Sequence, residues 1–265
     1  MKEDKLLAQG NTAEIYEYSA DKIIKLFRQN MPYAACESEY YITKNVYQSL
    51  NIGPHVYEQI DVDGRNGIVY EKIIGKTLLS IMLLKIWKSK NMAKQMAHYH
   101  MDIQKEVAFE LPSVHAKLKN DISAITELDQ EEKNILYEYI DARPHGKCLC
   151  HFDFHPGNIM MRDNQAVVID WMTACVGDKL SDVARTGVML KYAEIPIKSK
   201  LLKKFMRKFQ NGIYQEYLKE YIRITGTSIA QIEKWEYPIM AARLREWVPK
   251  SEKQVLLNLV HEYAK

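Results

Sequence analysis

The stretch HFDFHPGNIM, residues 151–160, sets two histidines, an aspartate and Pro-Gly-Asn within eight positions. One chemistry for such a set is metal-dependent hydrolysis. His151, Asp153 and His155 alternate, and on a strand they would project from one face as three ligands for zinc or iron. Pro156-Gly157 ends any strand at once, however, and that reading leaves the nearby Asn158 and Asp170 without a role.

Phosphoryl transfer uses all of them. The transferred group needs little covalent help but much charge neutralisation, so a site must hold Mg²⁺, nucleotide phosphates and an oriented hydroxyl. Asp153 and Asn158 fit the spacing H-x-D-x-x-x-x-N, in which the aspartate accepts the proton of the attacking hydroxyl and the asparagine binds a metal. Twelve residues further on, VVID presents Asp170 at the end of an apolar run, a second hard oxygen ligand for Mg²⁺.

A nucleotide also needs a loop of close backbone approach, an apolar roof and a cation. AQGNTAEIYEY, set against G-x-G-x-x-G-x-V, reads Ala8, Gly10, Ala13 and Ile15, so only the middle glycine is kept. Gly10, Asn11, Thr12, Ile15 and Ile23 are the expected nucleotide contacts there. In KIIKLFR, Lys25 shares a strand face with Ile23 and Phe27, a costly place for an ammonium without an anionic partner. Glu39, on one helix face with Ile42 and Val46, is the expected partner, with Glu37 as the alternative register. Taken singly, Lys25 reads as a solvated strand lysine and Glu39 as a solvated helix face; the downstream Asp, Asn and Asp give the pair its meaning.

The elements that must carry these groups are legible around them. LLAQ, AEIYEYS, KIIKLFR, VYEQIDV and NGIVYEKI are short, rich in β-branched and aromatic residues, and separated by SADK and DGRNG turns. One helix, residues 34–50, interrupts them, and Gly53-Pro54 is expected to stop it. Tyr70-Glu71 ends the last strand, with Gly75 four residues beyond Glu71, as a hinge would. Adenine is expected to meet backbone at Glu71 and Ile73, with Tyr70 as the gate behind it. Helical patterns dominate from Thr77 onward, and LLSIMLLKIW, residues 78–87, reads as a core helix too short to span a bilayer. Ser228 with Gln231, and Ser251 with Gln254, fit capping boxes, and Pro238 is expected to kink the helix between them. His98 and His100 read as satisfied core histidines, and the Tyr and Trp residues of 214–247 as core.

With 47% hydrophobic residues the chain can bury a large core. Lys and Arg number 37 against 34 Asp and Glu, a net +3, far from the basic stripe of a nucleic-acid binder. No membrane partner is expected. The four cysteines lack CxxC pairing and the first residues, MKEDKLLAQG, are charged where a signal peptide would be apolar, so a cytoplasmic home is expected.

HFDFHPGNIM, VVIDW and GDKLSDVART in this order and spacing resemble the aminoglycoside phosphotransferase and choline kinase group of the protein-kinase-like superfamily. The resemblance covers nearly the whole chain and is weakest at the glycine loop. It implies an α+β, bilobal protein-kinase-like fold: a small antiparallel five-stranded N-lobe with one helix, residues 1–74, hinged at about 70–75 to a larger, mainly helical C-lobe, residues 75–265. The C-lobe would carry the catalytic loop 151–158, the metal segment 167–171 and acceptor-binding helices at about 198–265. The implied activity is Mg²⁺-dependent transfer of phosphate from ATP, or from GTP, to a hydroxyl of a small molecule. Asp153 would be the base, His151 would brace the loop, His155 would lie near the transferred phosphate, and Asp182 would bind loop backbone, with Arg185 sharing that work.

Asp170 and Asp182 are only twelve residues apart, too few for the peptide-docking segment of a protein kinase. Residues 201–265 carry twelve Lys and Arg against seven Glu, a field that suits a neutral or anionic acceptor better than a polycation. Glu236 and Glu246 are the carboxylates that could reverse this, and tail aromatics could cage a choline. A kinase-like module that binds nucleotide without catalysis is the other functional class, but such modules lose the base or a metal ligand, and this chain has both.

Overall fold

The computed structural model describes residues 5–194 and 197–263. The first four residues of the expected N-lobe and the last two of the expected C-lobe lie outside the described residues. The chain divides into two compact units, one of residues 1–81 with 157–173 and one of residues 82–156 with 174–265.

The first unit is built on a five-stranded antiparallel sheet of β1 (Leu6–Gln9), β2 (Ala13–Glu17), β3 (Lys22–Phe27), β4 (Val56–Val62) and β5 (Arg65–Glu71), in the order β1-β2-β3-β5-β4. Period-two alternation on β2, β3 and β5, with a register shift between Val56 and Glu58 on β4, sorts side chains between two small cores, Ile24, Leu26 and Val62 on one side and Ala13, Phe27, Val56, Ile68 and Tyr70 on the other. Asp63 and Gly64, both at positive φ, make the tight β4–β5 turn. Helix α1 (Tyr33–Leu50) buries Cys36, Glu39, Ile42, Thr43 and Val46. Its end differs from the expected Gly53-Pro54 stop: Asn51, left-handed at φ 53°, closes it by donating its amide to Tyr47 O. Gly53 instead makes room for Trp171, whose indole nitrogen would lie 3.1 Å from a Cβ there.

The same unit holds a small sheet of β6 (Lys76–Thr77), β8 (Ile159–Arg162) and β9 (Gln165–Val168), in the order β6-β8-β9. Gly75 enters it because a Cβ would sit 2.1 Å from Met161 O.

The second unit carries β7 (Cys148–Cys150) paired with β10 (Cys175–Gly177) and most of the helices: α3 (Ser89–Ile103), α4 (Val114–Ser123), α5 (Gln130–Asp141), α6 (Lys179–Tyr192), α7 (Lys200–Thr225), α8 (Ile229–Glu233), α9 (Glu236–Arg243) and α10 (Lys250–Tyr263). Tyr217, Tyr221, Trp235 and Tyr237 are core, as expected, whereas Trp247 is exposed.

Three helical expectations are corrected. The 78–87 segment is only in part a core helix: α2 (Leu78–Leu84) buries Leu78 and Met82, while Leu84 and Trp87 are exposed. The Ser228–Gln231 capping box forms, but Ser251 falls inside α10 and its hydroxyl turns to Glu194. Pro238 kinks nothing. The helix breaks at Lys234-Trp235, and Pro238 lies in the first turn of α9, where its missing N–H costs no bond.

Candidate active site

The register Lys25↔Ile15 and Lys25↔Ile68 puts Lys25 in the middle of the sheet on β3, where its ammonium has little contact with water. Both oxygens of Glu39 meet Lys25 Nζ, at 2.7 and 2.9 Å, and Asp170 Oδ1 meets it at 2.9 Å. Burial works against the Lys25 charge, but the Glu39 and Asp170 carboxylates outweigh it and raise its pKa. Burial also lifts Glu39, against the pull of Lys25. Tyr70, expected as a gate, donates its hydroxyl to Glu39 Oε1 at 3.0 Å and so completes this cluster. Glu37 is exposed, which leaves Glu39 as the partner.

Asp170 differs from the other two. Its side chain is 40% exposed against 2% for Glu39, and its backbone is left-handed at φ 65°. The β8–β9 hairpin fixes where it stands: Ile159 pairs with Val168, and Ile169 N donates to Asn158 O at 2.9 Å, so Asn158 and Asp170 come to one end of the hairpin. Trp171 is buried and donates its indole to Val168 O at 2.8 Å, anchoring the segment.

The glycine loop lies between β1 and β2. Gly10 N donates to Ala13 O, and Arg28 donates to Gly10 O at 3.0 Å and Asn11 O at 3.1 Å. A Cβ at Gly10 would meet only Ala13 O, at 3.6 Å, so the chain's own packing does not demand glycine here. Gly10 and Asn11 are exposed, Thr12, Ile15 and Ile23 half-buried. At the far end of β5 the Glu71 amide is taken by His55 O, and its carboxylate by His55 N and Arg162. An adenine contact at Glu71 would therefore fall to its carbonyl, with Ile73, half-buried, two residues on.

In the second unit β7 ends at Cys150, so His151, Asp153 and His155 do not alternate along a strand. Phe152 is left-handed at φ 62°, a strained state for a bulky residue. The strain is held by α6. Asp182, fully buried, accepts the amides of His151 at 2.7 Å and Phe152 at 2.8 Å, while Arg185 Nε donates to Phe152 O at 3.1 Å and the Thr186 hydroxyl to Phe154 O at 2.8 Å. Behind Asp182, His100 Nε2 lies 2.9 Å from Oδ2, and His100 Nδ1 lies 2.5 Å from the Tyr217 hydroxyl. Burial opposes the Asp182 charge, but His100, His151 and the loop amides overcome it and hold its pKa low. His98, expected in the core with His100, is exposed beside Glu220.

His151 is buried, and its Nδ1 accepts the Asp153 amide at 3.2 Å. Asp153 and His155 are both half-exposed, Oδ2 to Nε2 3.7 Å. Among the described residues, no three His, Cys, Asp or Glu side chains converge as a metal cage. Sequence reasoning missed Arg28, Thr186 and Tyr217. Their type gives no signal, because each acts through a backbone carbonyl or a ring that only the fold brings near.

The strand order β1-β2-β3-β5-β4 with one helix, followed by a helical unit, is that of the protein-kinase-like fold, and solved structures agree. A thermostable mutant of aminoglycoside phosphotransferase APH(4)-Ia, in ternary complex with ADP and hygromycin B, matches at TM-score 0.69 and 11% identity over 98% of this chain and 92% of that one. The streptomycin–ATP–APH(2″)-IIa ternary complex matches at 0.59 and 16% over 98% and 91%. A choline/ethanolamine kinase family protein from Mesorhizobium loti matches at 0.63 and 11% over 99% and 88%. A search of curated protein sequences returned no match. The model of the phosphotransferase enzyme family matches residues 92–226, and the chain belongs to that family. It is a phosphotransferase.

Proposed function

We propose that the protein transfers the γ-phosphate of ATP, with Mg²⁺, to a hydroxyl of a small molecule. The observation that carries this reading is the Lys25 ammonium, buried in the sheet and clamped by Glu39 and by the half-exposed Asp170. An ammonium so fixed is suited to phosphate oxygens, and Glu39 keeps it charged and aimed.

The donors fit Mg²⁺. Asp170 and the Asn158 amide are hard oxygen groups at one hairpin end, few enough that water and phosphate oxygens would complete the shell. Mg²⁺ held there would neutralise charge on the transferred group. Asp153 is the base for the acceptor hydroxyl, on a loop whose shape His151 and Asp182 maintain, and His155 faces the transferred phosphate. Gly10, Asn11 and Thr12 cover the phosphates, Ile15 and Ile23 the base, and the Glu71 carbonyl and Ile73 amide hold its edge. GTP would use the same phosphate contacts.

For the acceptor, the side chains that would greet a polycation are already committed. Glu236 pairs with Lys191 at 2.5 Å, and Glu246 with Arg185 at 2.6 Å and Arg243 at 2.7 Å. This supports a neutral or anionic hydroxyl compound.

The test is nucleotide consumption with Mg²⁺ and ATP or GTP across aminoglycosides, choline, amino alcohols, sugars and nucleosides. Acceptor-stimulated turnover should fall roughly 10²–10⁴-fold in Asp153→Ala while nucleotide binding persists. Turnover unchanged in that variant refutes the assignment of the base.

A further inference from the structure

A hollow of about 610 Å³ opens on the helical unit, lined by none of the residues assigned above to phosphoryl transfer. Three segments build it: the loop from Arg143 to Lys147, the β10–α6 junction, and the end of α8 through Trp235. The volume is that of a small-molecule site, within the roughly 300–1,000 Å³ such clefts occupy.

Its charge is one-sided. Arg143, Lys147, Lys179 and Lys234 line it, against Glu106 and Asp178. Asp178 is already engaged: Oδ1 accepts the Leu180 amide at 3.1 Å and Oδ2 the Trp235 indole at 3.0 Å. Among the described residues, Lys147, Lys179 and Lys234 are in no ion pair, although ion pairs are plentiful elsewhere in this unit. Ammonium groups gathered about one concavity repel one another and focus a positive potential into it, an arrangement that an anion relieves.

The hollow is also built rather than draped. A Cβ on Gly146 would lie 2.2 Å from Gly177 O and 2.4 Å from Asp178 N, so the Arg143–Lys147 loop is pressed against the start of α6. The His145 ring stacks on His115 at 4.0 Å between centroids, and His115 Nε2 lies 3.2 Å from Arg143 O. Pro144, Leu180 and Trp235 give the lining an apolar part.

We propose that this hollow is a second ligand site, taking a small organic phosphate or polyphosphate whose anionic end meets Lys147, Lys179 and Lys234. Its position gives a bound ligand a purchase on the catalytic loop. Cys148 begins the strand that runs into His151, and Lys179 begins the helix whose Asp182 ties down His151 and Phe152.

Inorganic pyrophosphate is the probe, titrated calorimetrically into the full chain at about 0.1 M salt, where exposed charges beyond about 10 Å are screened. One saturable site should persist in Lys25→Ala, which disables the nucleotide-phosphate cluster. It should weaken at least tenfold in the triple variant Lys147→Glu/Lys179→Glu/Lys234→Glu, three exposed positions whose change leaves the core intact. Absence of saturable binding, equal affinity in the triple variant, or loss of all binding in a folded Lys25→Ala overturns the proposal. A readout on the unaltered chain stands independently of any variant's folding. Pyrophosphate should protect Lys147, Lys179 and Lys234 from acetylation, read by mass spectrometry, and unaltered labelling of all three likewise overturns it.

Discussion

Single residues here are decided by what surrounds them. Asp182 is a buried charge, and it is tolerated because two loop amides and the His100 ring meet its carboxylate and His151 attracts it. Its pKa is depressed on folding, so its stabilisation is complete above the unfolded carboxylate value of about 3.9 and is lost as pH falls through the folded value. Asp182→Asn should cost roughly 3–5 kcal/mol at pH 7, since it removes the charge and turns an amide donor toward amide donors. In chemical denaturation the gap between the parent and the variant should then narrow below about pH 4. A gap that is constant from pH 7 to pH 3 would show that the charge is not what holds the loop. The Lys25–Glu39 pair and the hold of Asp182 on the loop backbone were legible in the sequence, because the order of Lys, Glu and the downstream aspartates gave each a partner to expect. Tyr70 was legible only as a bulky side chain. Its hydroxyl serves Glu39 across two elements, and no local pattern encodes that. Arg28, which holds the glycine loop by two carbonyls, left no trace in sequence for the same reason.

At the scale of elements, local signals succeeded where local physics decides. All five strands of the sheet were legible because alternation and turn chemistry are short-range. The Ser228 capping box formed because its partners are three residues apart. The Ser251 box failed because α10 begins one residue earlier, at Lys250, and Glu194 competes for the hydroxyl from another part of the chain. Gly75 is the instructive case. Sequence suggests a hinge glycine, and the packing gives a separate reason for glycine: a Cβ there would stand 2.1 Å from Met161 O, where β6 pairs with β8. Gly75→Ala must push the strands apart and should destabilise by about 3 kcal/mol or more, the upper range for overpacking. Thermal unfolding measures this. Hydrogen exchange should show the loss concentrated at Lys76, Thr77, Met160 and Met161; exchange unaltered at those amides would refute the packing role of Gly75.

At the scale of the whole molecule the charge distribution bears on which acceptor is used. The net +3 is not spread evenly, since residues 201–265 hold twelve Lys and Arg against seven Glu. Five of those glutamates, 216, 220, 236, 246 and 252, are in ion pairs, and the pairs of Glu236, Glu246 and Glu252 are largely buried on at least one side. Arg185 extends this network to the loop after β7, with one hand on Glu246 and the other on Phe152 O, next to Asp153, the proposed base. A polycation arriving near Asp153 would have to compete for carboxylates already held by guanidinium groups, while a neutral hydroxyl compound disturbs none of them and an anion is drawn in. Salt separates these cases, because it screens long-range attraction and repulsion alike. Between about 0.02 and 0.2 M ionic strength, kcat/KM should fall severalfold for an anionic acceptor and stay flat for a neutral one, with Mg–ATP held saturating. An acceptor whose kcat/KM rises with salt is being repelled at low salt and is a cation. Should the best acceptor in the panel behave that way, Glu236, Glu246 and Glu252 must exchange partners on binding, and the neutral or anionic assignment falls.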